Sequence, residues 1–241
     1  MIRRTCTFAD RIMREVLRDP VNLFFAIAFP VILLWMLHAI NASMGSAGNP
    51  GFAIDALAPG IATFAPVFMA LFCGMLLARD RTGAFLVRLF ASPMTAADFL
   101  TGYTLPMLLI AMAQALVTFL AAMLLGFRFT WGTLAAVVLV VPIALLCGSV
   151  MSDSAVGGVC GALLTVLASW FAGIWFPIDV MGEGFKAVCD VLPFYHASQL
   201  ADACVHGRWG ELWPDLWPVL AWAAALYAVA VAVFAWRKRD R

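Results

Sequence analysis

What the 241-residue chain has least of is charge: 12% of its residues are Asp, Glu, Lys or Arg, against 64% hydrophobic ones. A soluble domain is about half apolar and about a quarter charged, so this balance excludes one and implies an integral membrane protein. Strand-like alternation over segments of about 10 residues is also missing. The apolar runs are instead continuous over about 20 residues, which argues for helices rather than a β-barrel. No GxxxxGK[ST] phosphate loop occurs; "VGGVCGALL" at 156–164 has glycines without the Lys and Ser/Thr that phosphate chemistry needs. The six cysteines form no CxxC or Cys/His cluster, so no zinc or iron–sulfur site is expected. No catalytic residue set is legible either: paired carboxylates and a Ser/His/Asp arrangement are both absent. The chain is therefore not expected to hydrolyse nucleotide or to be an enzyme by itself.

What is there is a set of six runs long enough to cross about 30 Å of hydrocarbon, near 21–40, 58–78, 103–125, 133–151, 155–175 and 213–236. None has an Asp, Glu, Lys or Arg in its core. Ion pumps keep such groups inside their spans because the ion needs partners there. The polar span residues are modest, Gln114, Thr118, Ser149, Thr165 and Ser169 among them, which favours an apolar or amphipathic solute over a bare ion. Arg3 and Arg4 precede the first run, but its core is too long and starts too far from Met1 for a signal peptide.

Lysine and arginine set the expected orientation. With the N-terminus inside, twelve of the fifteen fall in inner segments, and only Arg128, Lys186 and Arg208 fall outside. Both termini are therefore expected in the cytoplasm. In the first segment, Phe8, Ala9, Ile12, Met13, Val16 and Leu17 share one helical stripe, while Arg11, Arg14 and Arg18 face away. This predicts an interfacial helix over 1–20 on the inner surface, its arginines toward anionic headgroups and Pro20 turning the chain into the first span. Thr7 and Asp10 have the spacing of a capping box.

The region 170–212 is too apolar for a solvated loop and too interrupted to span. Gly173, Pro177 and Pro193 break it, which predicts a re-entrant or interfacial helical hairpin on the outer side. Trp209, Trp213 and Trp217 then stand where an aromatic belt belongs. Cys189 and Cys204 lie on this side too; a disulfide between them is compatible with that, but two small apolar residues in packed helices is the simpler expectation. For His196, beside Phe194 and Tyr195, a structural hydrogen bond at a helix end is expected rather than catalysis.

One inner segment, "LARDRTGAFLVRLFASPMTAADFLTGY" at 77–103, is unlike the other connections. Phe85, Leu86, Leu89 and Phe90 form an apolar stripe flanked by Arg81 and Arg88, and Pro93 ends it. Topology alone requires the arginines but not the stripe; a partner groove requires both.

These residues carry a resemblance. "RDRTGAFLVRLFASPMTAADFLTGYTLP" is similar to the cytoplasmic segment of ABC-2-type transporter permeases. "SWFAGIWFPIDVMGEGFKAVCDVLPFYHASQLADACVHGRW" resembles their outer signature of Gly-x-x-Phe-Pro, a short helix, Leu-Pro-Phe and a further helix. "REVLRDPVNLFF" and the six-span plan agree, so the likeness covers nearly the whole chain as a single transmembrane domain, 1–241. The sequence departs from the family pattern at Asp80, Ala84, Met181–Gly182 and near Asp202.

The resemblance implies an all-α, six-span, N-in/C-in permease of the type V exporter kind, in the cytoplasmic (inner) membrane. It would work as a homodimer with two copies of a separate ABC ATP-binding subunit that holds the ATP and Mg. Within 79–101, Asp80, Arg81, Gly83, Phe85, Leu86, Arg88, Leu89 and Pro93 would form the coupling helix and its turn. Gly173, Phe176, Pro177 and Pro193 would belong to the outer gate. The expected cargo is a hydrophobic small molecule, a drug, antibiotic or lipid-like solute, in contact with membrane lipids and with no nucleic-acid partner. Export of a glycan, lipid-linked or haem-type substrate, and a non-transporting membrane anchor or assembly factor, stay open as alternatives.

Overall fold

In the computed structural model, residues 2–45, 48, 50–67, 96–140, 169–173, 178 and 181–239 are described; they contain helices and no strand. Helix α1 (Ile2–Arg18) is followed by α2 (Pro20–Met44), a 25-residue membrane-length helix with a π-helical turn at Phe24–Ala28. After a short 3₁₀ turn at Pro50–Phe52 comes α3 (Ile54–Val67), then α4 (Ala96–Met123) and α5 (Trp131–Ala135), which runs into a second π turn at Ala136–Val140. Two shorter helices, α6 (Glu183–Cys189) and α7 (Pro193–Val205), precede a 3₁₀ turn at Trp209–Glu211 and the final helix α8 (Leu212–Arg239). Among the described residues, three helices are long and apolar enough to cross a membrane: Pro20–Met44, Thr101–Met123 and Trp209–Val229. The expected spans near 133–151 and 155–175 fall largely outside the described residues.

The boundaries have local causes. Asp19 caps α2: its backbone is extended, its carboxylate accepts from the Val21 and Asn22 amides, and Pro20 fills the first helical position, where no N–H is needed. The Thr7/Asp10 capping box does not form, because α1 is already helical from Ile2 and Thr7 lies in its interior. At α5, Thr130 and Thr133 cap one another reciprocally, with the Thr130 hydroxyl accepting from the Thr133 amide. Gly45 and Gly126, both at positive φ, end α2 and the turn after α4, a conformation that costs glycine nothing.

Helix α3 sits at the centre, with every residue from Leu57 to Val67 buried. A helix apolar on all sides can be stable only as the middle of a bundle. Its Thr63 hydroxyl donates to the Pro59 and Gly60 carbonyls, so no polar atom there needs an outside partner. Helix α4 buries the stripe Tyr103, Met107, Ala111, Gln114, Ala115, Thr118, Phe119 and Ala122 and exposes Leu105, Leu109, Leu116 and Leu120. The small residues on the buried side let neighbouring backbones come close, which is how helices associate where lipid removes the hydrophobic drive.

The apolar stripe of α1 lies against α4. Phe8, Ala9, Ile12 and Val16 are buried, but Leu17 is 48% exposed and turns out of the stripe to join Val21 and Phe24 on the outside of α2. The sequence pattern therefore identified the right face, and protein rather than lipid covers most of it.

Candidate functional site

Two regions at opposite ends of α4 hold the side chains that matter. A 28-residue helix is about 42 Å long, enough to separate them by a membrane's thickness.

At the first end, α4 begins where the segment 79–95 leaves off. The Thr5 hydroxyl of α1 donates to Asp98 at 3.3 Å, in the first turn of α4, where a carboxylate also complements the helix dipole. Phe8 packs edge-on against Tyr103, with ring centroids 5.1 Å apart. It lies so close to Gly102 that a Cβ there would meet its ring at 2.4 Å. From the other side, Tyr227 of α8 hydrogen-bonds Thr101 at 3.1 Å. The start of α4 is thus held by both the N-terminal helix and the last one.

The α1 arginines Arg11, Arg14 and Arg18 are exposed. Arg14 pairs with Asp10 at 2.8 Å and Arg11 with Glu15 at 3.6 Å, both one helical turn away. These pairs are solvent-exposed and are worth at most about 1 kcal/mol each. Arg18 closes the last turn of α1, where a cation offsets the dipole, and Pro20 starts α2.

At the far end, α6 and α7 form a helical hairpin, with α7 packed against α5 and α8. Pro193 is buried at the first position of α7, and Gly173 takes a positive φ of 73° at the turn before the hairpin. His196 is the centre of the arrangement. Its Nδ1 lies 2.7 Å from an Asp215 carboxylate oxygen at the start of α8, and its Nε2 lies 2.9 Å from the Asp190 carbonyl in the turn between α6 and α7. Through its two ring nitrogens the imidazole therefore bridges the start of α8 and the α6–α7 turn. The indole of Trp222 donates to the Val191 carbonyl at 2.7 Å and fastens the same turn to α8 again. At the other end of α7, Thr130 donates to the Val205 carbonyl at 3.0 Å. Gly132 meets α7 backbone to backbone: a Cβ on it would lie 1.7 Å from the Cys204 carbonyl oxygen. Arg208 binds Asp202 and also Glu211, at 3.1 Å, closing the turn after α7.

Cys189 and Cys204 carry free thiols. Burial pushes both thiols above their usual range, and for Cys189 the neighbouring Asp190 charge adds to this. Trp209, Trp213 and Trp217 are all exposed along the start of α8, the last two packed edge to face at 5.5 Å. Among the described residues no group of His, Cys, Asp and Glu could hold a metal ion.

The sequence model of the family described as ABC-2 type transporter matches residues 3–203. The chain belongs to the ABC-2 type transporter family. No curated protein matches it. The permease is thus the membrane component of an ABC transporter, a multi-pass membrane protein, and the family implies an ATP-binding partner. Both ends of α4 lie within the matched span.

Of the residues the sequence singled out, Asp80, Arg81, Gly83, Phe85, Leu86, Arg88, Leu89 and Pro93 lie outside the described residues, as do Phe176 and Pro177. Gly173 and Pro193 bracket the approach to α7, and Arg11, Arg14, Arg18 and Pro20 lie on α1 and its junction with α2. Sequence reasoning missed Asp19, although Asp-Pro ahead of an apolar run is a start signal for a helix. It also missed the His196–Asp215 link and the Gly132 contact, which join residues distant in sequence and leave no local trace.

Proposed function

We propose that this permease is one half of the membrane pathway of an ATP-driven exporter in the cytoplasmic membrane, moving a hydrophobic or amphipathic solute outward. Two copies pair, and each docks on one copy of a separate ATP-binding subunit. The observation that carries this reading is the family match over 3–203, together with a chain whose sequence contains no phosphate loop. A transport subunit without an energy source needs a surface through which work enters. The segment 79–101 is that surface: Phe85, Leu86 and Leu89 enter a groove of the ATPase, with Asp80, Arg81 and Arg88 around them, Gly83 at the start and Pro93 at the exit.

The six-span topology with both termini inside draws support from the described helices. α1, the start of α4 and Tyr227 lie together, while Thr130, α7 and the start of α8 lie at the other end. Helices α2 and α4 therefore run one way and α5 and α8 the other, the alternation that six crossings require. On this reading α1 lies at the inner surface, with Arg11, Arg14 and Arg18 toward lipid headgroups. The hairpin from Gly173 through Phe176, Pro177 and Pro193 forms the outer gate. ATP-driven closure of the partner subunits moves the coupling segments, and α4 carries the displacement outward. Shifting such an equilibrium from 1:99 to 99:1 takes about 5.5 kcal/mol of differential binding, and only nucleotide on the partner can supply it.

The test is reversal of charge in the coupling segment. Arg88→Glu should leave insertion and dimer formation normal while abolishing solute-stimulated ATPase activity of the reconstituted complex. Stimulation equal to that of the unaltered protein would overturn the role given to this segment.

A further inference from the structure

The first span carries a feature that transport by a rigid bundle would not require. In the π turn Phe24–Ala28 the backbone bonds run five residues apart: the Phe29 amide donates to the Phe24 carbonyl. The next rung of that ladder would be donated by residue 30 to Phe25, but residue 30 is proline and has no N–H. The donor comes from another helix. Gln114 of α4, 2% exposed, gives its Nε2 to the Phe25 carbonyl at 3.2 Å.

The rest of the Gln114 side chain fits a part that works by changing partners. Its Oε1 is buried without a hydrogen-bond partner, although a polar atom in such a place costs free energy. One turn on, the Thr118 hydroxyl donates back to the Gln114 carbonyl at 2.9 Å, a bond that favours local bending. A π turn holds one more residue than an α turn, and such insertions concentrate at functional sites. Passing that residue along the helix rotates whatever follows by about 100° and shifts it by about 1.5 Å.

We propose that the π turn is a hinge in the first span and that Gln114, donating to Phe25 in place of the N–H that Pro30 lacks, is its latch. With the latch closed, the π turn is fixed to α4 at Phe25, and with it the part of α2 that follows (Phe29–Met44). With it open, that part turns independently of α1 and of the capped junction at Asp19–Pro20, which the start of α4 still holds. The transporter reading enters only in what the hinge would serve; the hinge itself is a property of this chain.

The experiment is a double-substitution cycle read by amide hydrogen exchange of the full chain in lipid nanodiscs, over the peptide covering residues 24–34. Gln114→Leu should speed exchange of the amides after Phe29 by about tenfold. Pro30→Ala restores an N–H at the missing rung, so in that background Gln114→Leu should change exchange by less than about twofold. Should Gln114→Leu fail to insert, Gln114→Asn keeps the amide but falls one methylene short, and the same two comparisons apply. Unchanged exchange in the single variant overturns the latch. An equal increase in both backgrounds overturns it too, since Gln114 would then act through packing alone. No ATP-binding partner is needed, so failure here leaves the transporter reading standing, and failure of ATPase coupling leaves the hinge standing.

Discussion

Gly132→Ala adds one methyl group where the structure has no room for it. The new Cβ would lie 1.7 Å from the Cys204 carbonyl oxygen and 2.8 Å from its carbon. Both are backbone atoms in the last turn of α7, so no side chain can swing away. To reach even 3.0 Å, α5 and α7 must separate by more than an ångström. Overpacking of this kind costs about 1–3 kcal/mol. The separation also stretches the hydrogen bond from Thr130 to the Val205 carbonyl, now 3.0 Å long, for about 1 kcal/mol more. The sum, about 2–4 kcal/mol, corresponds to a fall of roughly 5–15 °C in apparent melting temperature for a chain of this size. Thermal scanning of the detergent-solubilised protein measures it. The paired control is Gly184→Ala in α6, where an added Cβ meets nothing within 4 Å and a helical Gly→Ala change favours the fold by about 0.5–1 kcal/mol. Gly132→Ala melting within 2 °C of the unaltered protein would show that α5 and α7 do not touch as described, and the hairpin would lose its anchor.

The other predictions concern the same hairpin. His196→Ala removes both links from the α6–α7 turn through the imidazole, to the Asp215 carboxylate and to the Asp190 carbonyl; the loss should be about 2 kcal/mol and should appear as faster proteolytic cleavage near residues 190–192. Cleavage at the original rate would contradict the link. Cys6 is exposed whereas Cys189 and Cys204 are buried with raised thiol pKa values, so at neutral pH a maleimide should label Cys6 ahead of these two. Cys189 and Cys204 should gain reactivity only as the pH rises into the range where thiolate forms; mass spectrometry of labelled peptides gives the order.

What the sequence revealed about this fold follows from which forces are local. Span positions were legible because about 20 consecutive apolar residues are needed to cross hydrocarbon, and α2, α4 and α8 fall where the runs near 21–40, 103–125 and 213–236 lie. The buried face of α1 was legible from its 3.6-residue spacing, but what covers that face was not, since α4 begins 78 residues after α1 ends. Pro193 predicted a break and in fact starts α7, because a proline that cannot continue one helix is well placed to begin another. The structural role foreseen for His196 holds, while its partner Asp215 lies 19 residues away, on a helix that sequence alone does not bring near. The π turn at Phe24–Ala28 was invisible. Its cause, a proline five residues after a carbonyl served by another helix, needs the three-dimensional neighbour to be seen.

Helix α4 ties these parts together. Its first turn is gripped by Thr5 and Phe8 of α1 and by Tyr227 of α8; its middle holds the first span through Gln114; the chain leaving its end, at Thr130 and Gly132, abuts the hairpin. If work enters through 79–101, as proposed, it reaches α4 directly, because the helix begins at Ala96. A displacement of α4 then cannot leave α1 behind, since Phe8, Ile12 and Val16 would lose burial worth about 1.5–3 kcal/mol each. The part of α2 beyond the π turn is held by burial as well, at Leu33, Leu34 and Leu37, whereas the π turn itself is tied to α4 by one neutral hydrogen bond, worth about 1 kcal/mol. The hydrogen bond is the weakest of these joints, so it should yield first and let the first span bend at the π turn as α4 moves.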